Sequence, residues 1–194
     1  YPPNRNWLIH LTVSMQPDTS SRIGVHYRRE YSDTGGELLP AATSSQAATG
    51  SGALSLAADV VASEPFYLED ADLYYTRQAS TFPWTTRVFY RDIDYEVSPT
   101  DRQERGLLLD VRYLFSSTGY VQLLTIYTIL LYDQMMREDK DSNIGVTFAY
   151  RMTSNLQASL NFLRFGRRST APGQDYTDDR VGLTITYSSR PVGR

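Results

Sequence analysis

At 194 residues the chain fits one domain, by the usual prior of about 100–200 residues each, and 41% hydrophobic with 21% charged residues describes a folded chain rather than a disordered one. A formal net charge of -3 and an isoelectric point near 5.4 give no support to a nucleic-acid partner, which would favour a basic face. A mean hydropathy of -0.40, with no run of about 18 apolar residues, excludes a transmembrane helix, but not membrane-crossing strands, which show lipid an apolar residue only at every second position.

The chain has no cysteine, so disulfides, thiolate chemistry and zinc sites built on Cys are ruled out. Its 15 tyrosines suit aromatic girdles at two membrane interfaces. Lys140 is the only lysine among the 19 basic residues. Genomic base composition accounts for that bias, although arginine also pairs bidentately with phosphate and would suit a leaflet of phosphorylated lipid. The opening Tyr1-Pro2-Pro3-Asn4-Arg5 lacks the basic start and apolar core of a signal peptide. An exported protein with this start is expected to have lost its leader, or to begin inside a longer precursor.

Period-two alternation dominates the chain. Over 7–15, Trp7, Ile9, Leu11, Val13 and Met15 share a face opposite His10, Thr12 and Ser14, and a turn follows at 16–20. Over 21–31, Ile23, Val25, Tyr27 and Tyr31 oppose Arg22, Gly24, His26, Arg28 and Glu30. A polar stretch rich in Ala, Ser, Thr and Gly then runs from about 32 to 65 and reads as one long extracellular loop. Inside it, Leu54, Ala57, Ala58 and Val61 have helical spacing, so a short helix at 53–63 competes with a strand. From Phe66 the ladder resumes, with Ala71, Leu73 and Tyr75 opposite Asp70, Asp72, Tyr74 and Thr76. The strand at 84–96 has no clear facing, 105–115 alternates cleanly, and 120–132 is apolar on nearly both faces. Three further strands follow, around Ile144–Tyr150, Leu156–Phe162 and Val181–Tyr187.

About nine strands of roughly 9–13 residues meet the tilted length of about 9–11 needed to cross a bilayer. The predicted connections alternate: short at 16–20, long at 32–65, short at 80–83, medium at 97–104, short at 116–119, long at 133–142, short at 153–155 and long at 168–179. Long extracellular loops alternating with short periplasmic turns are the pattern of outer-membrane barrels. The expected fold is therefore all-β, a transmembrane antiparallel up-and-down β-barrel. Loop parity starts the first strand outside the cell, so the 194 residues are expected to be a fragment, the C-terminal part of one barrel domain. Trp7, Tyr31, Tyr67, Tyr95, Tyr132 and Phe165 are placed near outer strand ends, and Tyr75, Trp84, Tyr113, Tyr120, Tyr150 and Tyr187 near periplasmic ends, as membrane-interface aromatics.

Several segments resemble a known family. They are Ser32-Asp33-Thr34-Gly35 before a small-residue loop, Glu64-Pro65-Phe66-Tyr67, Arg87-Val88-Phe89-Tyr90-Arg91, Asn143-Ile144-Gly145-Val146, Tyr150-Arg151-Met152-Thr153-Ser154-Asn155-Leu156, and Asp175-Tyr176-Thr177-Asp178-Asp179-Arg180-Val181-Gly182-Leu183. Together they resemble the C-terminal portion of the outer-membrane β-barrel proteins associated with PEP-CTERM/exosortase systems. That resemblance implies a barrel linked to exopolysaccharide export. One departure is the end: barrels usually finish on an aromatic residue, whereas Tyr187 is followed by seven further residues to Arg194.

Candidate chemistry is sparse. His10 and His26 are the only histidines and fall on one face of adjacent strands, with Asp70 or Asp72 within reach. Such a set could imitate acid–His hydrolases, but ordinary polar wall residues account for it, and no Gly-x-Ser-x-Gly elbow is present. His10, Arg22, His26, Arg28, Asp70, Asp72, Arg87, Arg91, Asp110, Arg112 and Arg151 are expected to line the lumen as a mixed-sign ladder, either satisfying one another or setting selectivity. Asp133, Glu138, Asp139 and Asp141, and likewise Asp175, Asp178 and Asp179, read as acidic loops without a calcium-loop pattern.

The sequence thus predicts a bacterial outer-membrane protein that is not an enzyme and has no cofactor or metal, acting as a passive pore or conduit for exported polysaccharide. A non-conducting anchor or scaffold is the alternative, and a soluble β-sandwich adhesin a more distant one. Expected partners are outer-membrane lipid and lipopolysaccharide, the barrel insertion machinery, and exopolysaccharide or periplasmic export proteins, with no nucleic acid.

Overall fold

The computed structural model describes residues 7–32, 65–96 and 101–188. They form nine strands: β1 (Trp7–Asp18), β2 (Ser21–Ser32), β3 (Phe66–Arg77), β4 (Trp84–Tyr95), β5 (Arg102–Leu114), β6 (Gly119–Tyr132), β7 (Arg137–Arg151), β8 (Leu156–Ser169) and β9 (Tyr176–Tyr187). Every strand is antiparallel to its neighbours and the sheet runs in sequence order from β1 to β9. Among the described residues β1 and β9 pair on one side only, so the sheet is open. A 12-residue strand rises about 40 Å at about 3.3 Å per residue, and a tilt near 40° brings that to about the 30 Å of a hydrocarbon core.

Apart from an irregularity between Met15 and Asp18 at the end of β1, a continuous pairing register carries each face across the sheet. One row runs His10↔Arg28↔Asp70↔Arg91↔Glu104↔Leu130↔Asp139↔Ser169. All residues on this face are in phase, and it holds nearly every buried side chain, including Phe66, Leu68, Ile93, Glu104, Leu108, Gln122, Ile126, Leu130, Asp139 and Ala149. We call it the inner face. The outer face carries Ile9, Leu11, Val13, Val25, Leu73, Val88, Leu107, Ile144, Val146, Leu183 and Ile185, all exposed. A polar side that is covered and an apolar side that is bare invert the arrangement of a water-soluble sheet.

The register settles both strands that alternation left open. In β4, Arg87, Phe89, Arg91 and Ile93 are inner while Val88 and Tyr90 are outer. In β6, Leu124, Ile126 and Leu130 are inner while Leu123, Tyr127 and Leu131 are outer. Small residues give inner aromatics room: the Tyr74 ring lies over Gly24, 2.5 Å from where a Cβ would stand, and the Phe89 ring likewise covers Gly106.

Two expectations are corrected. The connection placed at 133–142 is a turn at 133–136, because Arg137, Asp139 and Asp141 continue the ladder paired with charges on β7 and β8 rather than solvated in a loop. The one at 168–179 shortens to 170–175 for the same reason. Long–short alternation therefore survives chiefly in the 33–65 connection between β2 and β3. Secondly, Tyr120 and Tyr132 are not on the apolar face: they pair with Leu114 and Arg137 on the inner one, as do Tyr95 and Phe165. The loop interior at 33–64, with its competing helix at 53–63, and the tail at 189–194 lie outside the described residues.

The 133–136 turn holds Met136 at φ 46°, a left-handed conformation that side chains with a Cβ resist. Met136→Gly should stabilise the hairpin by about 1 kcal/mol, read as a higher denaturant midpoint of the refolded protein. Ile144→Arg on the outer face should cost about 2–4 kcal/mol in lipid vesicles. Thr147→Arg, three residues along on the inner face, should cost markedly less, and equal losses would disprove the assignment of faces.

Candidate functional site

All eleven charged and histidine residues singled out in the sequence fall on the inner face, but they do not form one group. The most connected set spans β1 to β5. His26 Nε2 lies 2.6 Å from His10 Nε2, which is also 3.1 Å from Thr12 Oγ1. The other nitrogen of His26, Nδ1, lies 3.4 Å from Asp72 Oδ2 and 3.9 Å from Asp70 Oδ2. The remaining oxygens of these two aspartates face arginines: Arg91 Nε donates to Asp70 Oδ1 at 3.2 Å, and Arg87 Nε is 3.9 Å from Asp72 Oδ1. Arg91 also donates through Nη1 to Glu104 Oε2 at 3.4 Å, and Arg102 Nε is 2.9 Å from Glu104 Oε1. Arg28 pairs with Glu30 on its own strand. Alternating signs on successive strands let each charge, taken partly out of water, meet an opposite one.

A second, shorter set lies lower on β5 and β6, where Gln122 Nε2 donates to Asp110 Oδ1 at 2.7 Å and Arg112 stands 4.7 Å from the Tyr120 ring centroid. Arg22 donates to Ser14 Oγ at 2.9 Å. Arg151 stands at the end of β7, opposite Gln157. A third set joins β7 and β8. Arg167 grips Asp141 with two donors at 2.7 and 2.6 Å, while Arg137 donates to Asp139 Oδ1 at 2.8 Å. Asp139 has no exposed surface.

This third set, and the Arg102–Glu104 pair, were missed as wall residues because sequence reading assigned 97–104 and 133–142 to loops. The signal was present: Arg137, Asp139 and Asp141 keep period two, in phase with Asn143 and Gly145. Between the charged sets lies an apolar patch that alternation did not predict, in which Leu108 and Ile126 are buried against Leu124, Leu163 and Phe165. A smaller one joins Phe66, Leu68 and Ile93 with Tyr95.

The outer face closes with aromatic residues at both strand ends. Tyr31 and Tyr67 pair at one rim, with ring centroids 4.6 Å apart, near Trp7 under Arg29. Tyr75 and Trp84 pair at the other, 4.9 Å apart, where Phe115 stacks on Phe148 at 5.5 Å. Tyr113, Tyr150 and Tyr187 share that rim and that face.

The fold is similar to solved structures of OmpT, an outer membrane protein of Vibrio cholerae. The in-vitro folded form matches with a TM-score of 0.65 at 10% identity, over 94% of this chain and 55% of that one. A loop L8 deletion mutant matches with a TM-score of 0.65 at 9% identity, over 94% and 53%. The outer-membrane expressed form gives 0.64 at 9%, over 94% and 56%. This chain thus spans about half the length of the barrels it matches. No family model matches the chain, and no curated protein does. The fold is that of an outer-membrane β-barrel, and outer-membrane lipid is the solvent that its bare apolar face requires. The expectation that the chain is not an enzyme does not stand on these findings: matches at 9–10% identity show the fold alone, and the acid–His arrangement set aside in the sequence is assembled, with His10, His26, Asp70 and Asp72 in one connected set.

Arg91 holds two carboxylates at once, so Arg91→Met should cost about 2–4 kcal/mol by leaving Asp70 and Glu104 with unmatched charge. Adding Glu104→Gln should recover part of that loss in a double-mutant cycle of denaturant unfolding, whereas strict additivity would show that the pair is uncoupled.

Proposed function

We propose that this chain is part of an outer-membrane barrel whose polar inner face lines a passive conduit, and that the solute is an exported polysaccharide. The observation that carries this reading is a wall to which every described strand contributes polar or charged side chains, broken by two apolar patches. His10, Arg22, His26, Arg28, Asp70, Asp72, Arg87, Arg91, Asp110, Arg112 and Arg151 share it with small residues such as Gly24, Gly106, Thr128, Asn143, Thr147, Ser159 and Asn161. Nine strands over 55% of a matched barrel scale to a complete ring of roughly 16, the size class that encloses water rather than a packed core. Tyr120 and Tyr132, with Arg112 and Arg137 over their rings, add to that wall the flat aromatic surfaces that stack on sugar rings. The resemblance to barrels of PEP-CTERM/exosortase systems supports an exopolysaccharide as the cargo, with periplasmic export proteins as the partners that deliver it.

A second reading has its own observation. Phe66, Leu68 and Ile93 are almost without exposed surface on the inner face, which suits a filled interior and a barrel serving as anchor or scaffold. Single-channel recording of the full-length protein in a planar bilayer separates the two. The conduit predicts discrete ohmic openings that neutral polymers block by size, and a shift in ion selectivity when Arg87 and Arg91 are both replaced by Gln. A protein that inserts as a heat-modifiable barrel yet stays electrically silent favours the anchor.

A further inference from the structure

We infer that His26, Asp70 and Asp72 form a binding site for a divalent transition cation of the Zn2+ class, with His10, Arg87 and Arg91 holding the ligands in place. The inference is independent of whether the barrel conducts. Three donor atoms converge there from β2 and β3, one each from His26, Asp70 and Asp72, all within 4.8 Å of one another. The two nitrogen–oxygen separations, 3.4 and 3.9 Å, are close to the edge of about 3.3 Å in a tetrahedral site with bonds of about 2.0–2.1 Å. Small rotations of the two aspartates close the difference.

The surroundings favour a cation over a plain ion pair. Each aspartate turns one oxygen toward His26 and the other toward an arginine, Asp70 accepting a hydrogen bond from Arg91 and Asp72 standing 3.9 Å from Arg87. Both carboxylates are thereby oriented from behind, as outer-shell partners orient metal ligands. The histidines supply a matching argument. His26 Nε2 is 2.6 Å from His10 Nε2, and in the tautomer that carries its proton on Nε2, toward His10, the His26 Nδ1 lone pair is free to ligate. In that tautomer three lone pairs converge from His26, Asp70 and Asp72, and a divalent cation between them would satisfy all three, where a proton on Nδ1 would satisfy fewer. One imidazole and two carboxylates suit a borderline divalent metal, since Ca2+ takes six to eight oxygens. Three protein ligands leave the fourth position of a tetrahedral site to water, on a face that bears polar groups along its length. His26, Asp70 and Asp72 are only 11–15% exposed at the side chain, which limits competition from solvent.

The test uses the full-length protein refolded in detergent, titrated with Co2+ and followed by visible absorption. The site predicts one equivalent of Co2+ with tetrahedral bands that Zn2+ abolishes. His26→Ala and Asp72→Asn should lose that uptake, and His10→Ala should weaken it by about 10–100-fold, the usual effect of removing an outer-shell partner. No stoichiometric uptake, or uptake that persists in folded His26→Ala and Asp72→Asn, overturns the site. Should those variants fail to fold, X-ray absorption of zinc-loaded wild type decides: one imidazole among oxygens supports the assignment, and a shell of oxygens alone overturns it.

Discussion

Peptide N–H and C=O groups have no water to bond with inside a hydrocarbon layer, and each one left unpaired there costs several kcal/mol. Everything else in this chain follows from meeting that demand with strands. Each strand must be long enough to cross and must pair on both sides, so the register has to stay unbroken over 12 to 15 residues. An unbroken register fixes which residues share a face for the whole sheet. Eight consecutive ladders satisfy the demand between β1 and β9. The edges of β1 and β9, each paired on one side among the described residues, carry the same obligation.

Once the faces are fixed, the charges on the inner one have to find partners across strands. Asp70, Arg91 and Glu104 occupy the same row on β3, β4 and β5 and take alternate signs. On β7 and β8 Asp141 and Arg167 share a row with opposite signs, while Arg137 pairs with Asp139 along β7. The charged ladder therefore runs across the strands, along the direction of the backbone hydrogen bonds. It divides the wall into two charged regions, with the Leu108–Ile126–Phe165 patch between them.

Much of this was legible in the sequence, because period two is set by backbone geometry and needs no tertiary information. β1, β2, β3, β5, β7, β8 and β9 could each be assigned a face from alternation alone. β4 and β6 could not. Phe89, Ile93, Leu124 and Ile126 put apolar groups on the polar side, and only pairing with β3, β5 and β7 shows which side each occupies. Strand ends failed for the opposite reason. Arg102, Glu104, Arg137, Asp139 and Asp141 look like loop residues until their cross-strand partners are known. The cluster of His10, His26, Asp70 and Asp72 was visible as residues sharing a face, but the convergence of their atoms depends on χ angles and register that spacing does not encode.

Strand order has a kinetic meaning as well. Each strand's partners are its immediate neighbours in the chain, so apart from the 33–65 connection no ladder closes a loop longer than a hairpin. Loop-closure entropy rises with loop length and is small for hairpins. The sheet can therefore zip from one strand to the next, each finished edge serving as template for its successor. The β2–β3 junction, which must bring Ser32 to Phe66 across more than thirty residues, is the step at which such a zipper would pause.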